Sequence, residues 1–276
     1  MATLTATTAA PRVNRVPQPG IWLPAYTLWR REIVRFYRQK ARVVGVIASP
    51  LLFWLVLGSG FANSFHSSGS SSDKYLGYFF PGAVAMIVLF TAIFSMMSLI
   101  QDRNEGFLLS VMAAPVSRSS IVLGKVLGGT TLAAIQGILF LVFLPMLGIH
   151  ASLADIGYSI LLICLISFQL TTVGFAIAWP MDSPQAFHAI INLILLPMWM
   201  LSGALFPISD ASGWFRYVML ANPLTYGVVA LQQALLHPSG QLLSMTDNLI
   251  ITAILCVFFF VLAWAIVNRR THKPAA

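Results

Sequence analysis

The sequence predicts an all-α membrane protein with six transmembrane helices, and three observations carry that prediction. The chain is 58% hydrophobic and 9% charged, with a mean hydropathy of +0.83. Soluble domains hold about 45–50% apolar and about 25% charged residues. Six runs approach the roughly 20 apolar residues that cross a bilayer: 43–61, 78–100, 126–147, 159–179, 187–206 and 249–267. The basic residues then fall on one side of these runs. All but two of the 16 Lys and Arg residues lie before the first run, between the second and third, or after the sixth. Lys74 and Arg216 are the exceptions. This asymmetry predicts that both termini are cytosolic.

The net charge of +8 raises nucleic acid as a partner class. Because the basic residues flank apolar runs, anionic lipid headgroups fit them better, and no nucleic-acid partner is expected. Cys164 and Cys256 lie inside apolar runs without CxxC spacing. They read as small apolar side chains, and no metal or cofactor site is expected in this chain.

The elements follow in chain order. Residues 1–21, rich in Thr, Ala and Pro, lack an apolar signal-peptide core and read as a disordered cytosolic tail. Residues 22–42 read as an amphipathic helix lying in the membrane interface. At helical spacing, Trp22, Tyr26, Trp29, Ile33, Phe36 and Tyr37 form one stripe, and Arg31, Arg35, Arg38 and Arg42 form another on the opposite face. A polar stretch, 63–74, links the first two spans on the outer side.

Between the second and third spans lies a charged island, QDRNEGFLLSVMAAPVSRSSIVLGK, at 101–125. Asp102 reads as the N-cap of a short helix, 102–114, with Glu105 completing a capping box. Phe107, Leu108, Val111 and Met112 share one face of it. Pro115 ends it by disfavouring helical geometry at Ala114. Ser117, Ser119 or Ser120 caps the helix that follows.

Residues 208–236 read as a re-entrant hairpin on the outer side. The apolar stretch 214–236 is long enough to cross, but Asn222-Pro223 divides it into two pieces that are too short. A seventh span would also bury Arg216 and move Arg269, Arg270 and Lys273 outside. Irregular backbone at this depth requires a protein cover. Residues 269–276 form a cytosolic tail.

The island resembles the signature region of ABC type-2 exporter permeases. Asp102, Arg103, Gly106, Ala114, Pro115, Val116, Ser117, Arg118, Leu123, Gly124 and Lys125 carry the likeness. A second match runs through Pro197, Ser202, Gly203, Phe206, Pro207, Asn222, Pro223, Leu224, Thr225 and Tyr226, and Phe80-Pro81-Gly82 adds a third. The chain departs from the pattern at Asn104, where the family carries an acid that Glu105 supplies one place later. Leu109 and Ser110 replace a usual charged pair.

The resemblance implies the permease half of an exporter in the inner (plasma) membrane. Asp102, Arg103, Glu105, Gly106, Phe107, Pro115 and Arg118 would then belong to a coupling helix docked on a cytosolic ABC ATPase. Trp22, Tyr26, Trp29, Arg31, Arg35 and Arg38 would belong to an elbow helix. Asn222, Pro223 and Tyr226 would belong to a hairpin capping the exit path. A second copy or a paralogue would complete the path.

The phosphate-binding pattern GxxxxGK[ST] is absent, because Ser119 stands five places before Gly124 and Val126 follows Lys125. The chain is therefore expected to be no enzyme, with ATP and Mg held by the separate ATPase. The expected cargo is a hydrophobic small molecule such as a drug or antibiotic, and the alternative is a lipid-linked saccharide or polysaccharide.

Two rival classes fit less well. An intramembrane hydrolase would draw on Ser167 or Ser202 with His150 or His188, but neither HExxH nor GxSxG occurs. An ion channel or proton-coupled carrier places ionisable residues within its spans, and the six apolar runs contain no Asp, Glu, Lys or Arg. Polar groups within the runs (Ser95, Ser98, Gln136, Gln169, Thr171, Thr172 and Asn192) fit helix–helix hydrogen bonding, and the abundant methionines fit core filling.

Overall fold

The structure is a computed structural model that describes residues 20–39, 44, 45, 48, 51, 52, 54–56, 72–149, 151–208, 211–238 and 242–269. Most of the expected span 43–61, residues 63–71 of the expected loop, most of both tails, Arg42 and His150 lie outside the described residues, while 72–74 of that loop belong to a helix. All regular structure among the described residues is helical. Among the described residues, five helices are long and apolar enough to cross a membrane: Gly77–Asn104, Arg118–Leu147, Leu153–Ala178, Pro184–Ala204 and Met245–Asn268.

Local chemistry sets where these helices start. Helix α1 spans Trp22–Arg38. The second long helix is built from α2 (Ser72–Ser95) and α3 (Met97–Asn104), joined by a single turn at Met96. After the short α4 (Phe107–Ala113), α5 (Arg118–Phe140) continues into a 3-10 turn, Leu141–Leu147. Ser117 caps α5 by accepting the Ser120 amide. Helix α6 (Leu153–Ala178) opens with a capping box between Ser152 and Asp155, and α10 (Met245–Asn268) with one between Ser244 and Asp247. Helix α7 (Pro184–Trp199) opens with Ser183 as cap and Pro184 at its first position, then passes into a π turn, Met200–Ala204. These caps satisfy the orphan amides at helix starts, so the helices begin several residues before the apolar runs do.

The long α2–α3 helix is the centre of the bundle. Phe79, Phe80, Val84, Val88, Leu89, Ala92 and Leu99 are fully buried, packed among α5, α6, α7 and α9. Within lipid, apolar side chains gain little by leaving the bilayer, so close packing and interhelical hydrogen bonds do the work. Thr91 donates to Gln136 across the α2–α5 contact at 2.5 Å, and Trp199 Nε1 donates to the Gly82 carbonyl at 2.8 Å. Gln169 donates to the Pro223 carbonyl at 2.9 Å. Thr171 bonds the Ser167 carbonyl of its own helix and Thr172 that of Phe168, while Asn192 is exposed on α7.

Helix α1 lies along α5, and its contact face is centred between the two predicted stripes, sharing only Phe36 with the aromatic one. Ala25, Leu28, Glu32 and Phe36 are its buried residues, a line running between the aromatic stripe and the arginine stripe. Trp22, Tyr26 and Tyr37 stay exposed, and Trp29 reaches across to donate to Thr131 at 3.0 Å. The reason lies in α5. A Cβ on Gly124 would sit 2.6 Å from Leu28 Cβ and 2.7 Å from the Ala25 carbonyl oxygen, and one on Gly128 would sit 2.8 Å from Glu32 Cβ. Two glycines four residues apart thus let α1 touch the α5 backbone.

The stretch 208–236 contains α8 (Gly213–Ala221) and α9 (Pro223–Leu236), broken at Asn222. At 1.5 Å per residue, the 14 residues of α9 cannot cross about 30 Å of hydrocarbon. Asn222 supplies what the break removes. Its side-chain Oδ1 accepts the Leu224 amide at 3.1 Å, and its side-chain Nδ2 donates to the Met198 carbonyl at 2.6 Å. Pro223 takes the first helical position, where no amide is needed. Tyr226 returns to the Leu220 carbonyl at 2.7 Å. The break lies level with Gln169, in the interior of α6.

Gly124→Val should therefore destabilise the protein by about 1–3 kcal/mol through overpacking, read as a lower thermal midpoint in detergent and faster amide exchange along α1. Gly157→Ala, where no atom lies within 4 Å of the added Cβ, should leave the midpoint unchanged or slightly raised.

Candidate functional site

The capping box expected at Asp102 and Glu105 does not form. Helix α3 continues through Asp102 to Asn104, and α4 begins only after Gly106, without a side-chain cap. The short helix is therefore 107–113 rather than 102–114. Asp102 sits near the C-terminal end of a helix, where the helix dipole disfavours an acid. What overrides that preference is a set of cations brought from two other helices.

Asp102 is completely buried. Arg31 grips it with both terminal nitrogens, at 2.6 Å to Oδ2 and 2.8 Å to Oδ1. Arg35 adds a bond to Oδ1 at 2.7 Å, and Lys125 adds one to Oδ2. Four donors fill the acceptor capacity of the carboxylate. Lys125 is 1% exposed and uses all three ammonium protons. It donates to Asp102, to Glu32 Oε1 at 2.6 Å and to Ser98 Oγ at 3.2 Å. Ser98 in turn donates to Glu32 Oε2 at 2.6 Å. The Asp102 carboxylate holds the Arg31 guanidinium above the ordinary arginine range, chiefly through their hydrogen bond.

The rest of the island radiates from this cluster. Arg35 also donates to Gln101 at 2.9 Å and meets Glu105 at 3.4 Å. The Arg31 guanidinium lies 3.6 Å from the centre of the Phe107 ring. Arg103 turns the other way, donating to the carbonyls of Trp179 and Met181 and pairing with Asp182 at 3.2 Å. Asn104 donates to the Asp182 carbonyl at 3.2 Å. The departure at Asn104 therefore replaces a charge with a neutral bond to the α6–α7 loop. Arg118 donates to the Val267 carbonyl at the end of α10, at 2.9 Å.

Gly106 adopts φ +76 with no atom within 4 Å of a built Cβ, so its backbone conformation, and not space, calls for glycine. Pro115 follows Ala114 in extended geometry and is exposed. On α4, Leu108 is buried while Leu109 is 62% and Met112 44% exposed.

The structure thus gathers Asp102, Glu105, Phe107, Arg31 and Arg35 in one place. It sends Arg103 and Arg118 to neighbouring helix ends. Trp22, Tyr26 and Arg38 stay on the exposed surface of α1, and Asn222, Pro223 and Tyr226 lie in the separate hairpin. Sequence reasoning missed Glu32, Ser98 and Lys125 as members of the cluster. A signal existed: Glu32 is the one acid within 22–42, and Lys125 stands between apolar residues beside Gly124. The six apolar runs hold no charged residue, but the helices extend beyond them: Asp102 and Lys125 lie just outside the runs on membrane-length helices, where each is neutralised.

The serine–histidine pairings of a hydrolase do not form among the described residues. Ser202 donates to the Trp199 carbonyl, the Ser167 hydroxyl has no hydrogen-bond partner, and His188 stacks on Phe94 at 4.8 Å.

Comparison with known proteins gives one consistent picture. A match to the ABC-2 type transporter family spans residues 25–236. The chain is 26% identical over 216 residues to the ycf38 transport permease of Cyanophora paradoxa, covering 78% of this chain and 74% of that one. It is 22% identical over 216 residues to the daunorubicin resistance ABC transporter permease protein DrrB1 of Streptomyces coeruleorubidus, covering 77% and 75%. It is 25% identical over 259 residues to nodulation protein J of Rhizobium leguminosarum bv. trifolii, covering 91% and 95%.

Removing one member of a buried charge set costs more than removing the set. Asp102→Leu should cost about 3 kcal/mol or more, because three cations lose their shared partner. Adding Arg31→Leu, Lys125→Met and Glu32→Gln to it should recover part of that loss. Thermal unfolding of the purified protein in detergent compares the two, and a further drop in the quadruple variant would contradict the cluster's role.

Proposed function

The chain belongs to the ABC-2 type transporter family, and on that premise we propose that it is the permease subunit of an ATP-driven exporter, forming half of the path for a hydrophobic small molecule such as a drug or antibiotic. One observation carries this reading. A short helix with an exposed apolar face, α4, protrudes at the charged end of the bundle, and its flanks are bonded to α1, the α6–α7 loop and the end of α10. A push on α4 reaches several helices at once.

In this reading α4 docks on a cytosolic ABC ATPase, which holds ATP and Mg and performs the hydrolysis. A second copy or a paralogue supplies the other half of the path. The protein resides in the inner (plasma) membrane as a multi-pass subunit with the cluster on the cytosolic side, where the basic residues concentrate. The exposed aromatics and arginines of α1 suit the lipid interface.

The cargo assignment draws support from the long helices, whose interiors away from the cluster are apolar, and from the similarity to a permease named for daunorubicin resistance. Deletion should lower tolerance to hydrophobic drugs. A glycan defect with unchanged drug tolerance would instead assign a lipid-linked saccharide.

Docking is tested by purifying the tagged full-length chain from its own membrane. We expect a phosphate-loop ATPase to be retained, and Leu109→Glu with Met112→Glu to reduce that retention about tenfold or more, as for buried interface anchors. Leu153→Gln, at an exposed site on the opposite end of the bundle, serves as the control. Full retention by the double variant would refute docking through α4.

A further inference from the structure

We propose that Arg31 and Arg35 are positioning residues that clasp the coupling segment to the α1–α5 pair, so that displacement of α4 carries α1 with it. The inference rests on the reading of α4 as the ATPase-docking element.

The joint between α3 and α4 is loose by itself. Gly106 turns the chain at φ +76 in open space, and α4 buries only Leu108. Leu108 is its one buried anchor in the core, with Phe107 and Val111 packed beside it. Arg31 spans that joint, and Arg35 braces its near edge. Arg31 holds Asp102 before it and covers the Phe107 ring after it. Arg35 holds Gln101 and Asp102 before it and reaches Glu105 at its edge. A planar guanidinium can fork a carboxylate through two nitrogens while it stacks flat on a ring, whereas an ammonium has a single nitrogen and no plane to stack.

The base of the clasp is firm for a different reason. Helix α1 is seated on α5 through Gly124 and Gly128, through Trp29 to Thr131, and through Ser120 donating to the Ile21 carbonyl at 3.0 Å. None of these contacts uses either arginine, and neither does the Glu32–Lys125 ion pair that joins the same two helices. Asp102 also keeps Lys125 if both arginines let go. Neutralising Asp102 is therefore the shared task of all three cations, whereas bridging Gly106 falls to Arg31, with Arg35 bracing its near side.

This distinction sets the experiment. Lysine at both positions preserves charge and loses the fork. The full-length chain, in a Cys164→Ala/Cys256→Ala background, is placed in lipid nanodiscs with spin labels at Val34→Cys and Met112→Cys. A second pair, Val34→Cys with Leu139→Cys, reports the α1–α5 contact. We expect Arg31→Lys/Arg35→Lys to broaden the 34–112 distance distribution and leave the 34–139 distribution unchanged. Phe107→Leu, which leaves the buried cluster whole, should broaden the 34–112 distance to a smaller extent.

With the ATPase retained from the native membrane, the double lysine variant should export about tenfold less cargo per ATP hydrolysed, a typical coupling magnitude. An unchanged 34–112 distribution in both variants overturns the clasp. A broadened distribution with unchanged export per ATP overturns its part in coupling. Failure of the unmodified chain to retain any ATPase would instead overturn the docking reading, while the distance measurement still decides whether the arginines hold 101–107.

Discussion

The rest of the structure depends on how Asp102 and Lys125 are neutralised. Both are buried, and burying a lone charge costs several kcal/mol even after relaxation. Here the cost is met by complete pairing. Asp102 receives four donors and Lys125 spends three protons. No subset of helices can do this. The acid comes from α3, the ammonium from α5, and Glu32, Arg31 and Arg35 from α1. The position of α1 is therefore a condition for folding α3 and α5 as uninterrupted helices past their apolar runs.

Charge alone would not bring α1 close enough. A helix at an ordinary 8–10 Å interaxial distance keeps side chains between the backbones. Gly124 and Gly128 remove those side chains on α5, and the short reach that results lets Glu32 meet Lys125 at 2.6 Å. Small residues and buried charges therefore act as one device. The same logic, without charge, operates at the other break in regular structure. There Asn222, Thr225 and Gln232 bond the carbonyls of Met198, Met219 and Gly203, so that irregular backbone at membrane depth is covered by protein.

Much of this was legible in the sequence. Apolar runs located the five membrane-length helices described, and Asn222-Pro223 divided α8 from α9 as Pro chemistry requires. Helix ends were read too narrowly because hydropathy marks the lipid-facing part of a helix and ignores its caps. Ser152, Ser183 and Ser244 carried the missing information locally. Asp102 was misplaced for a deeper reason. Its intrinsic preference favours an N-cap, and only the partners brought by the fold reverse that preference. Periodicity likewise separated the aromatic and arginine stripes of α1 but could not show that the line between them is the packed face. That choice belongs to the glycines of α5.

The two ends of the bundle differ in what holds them, and the difference bears on function. Near α8 and α9, side-chain amides and hydroxyls bond backbone carbonyls, and neutral bonds of this kind fix local geometry without long-range pull. At the island, guanidinium, ammonium and carboxylate groups bond one another across three helices. Such charge-assisted bonds are stronger and strongly directional. In a buried setting they are all-or-none, because a half-paired cluster is worse than either alternative. A bundle so arranged resists gradual deformation at its charged end. In the proposed reading, a force applied to α4 would be passed on to α1 and α5 instead of dissipating in the exposed segment.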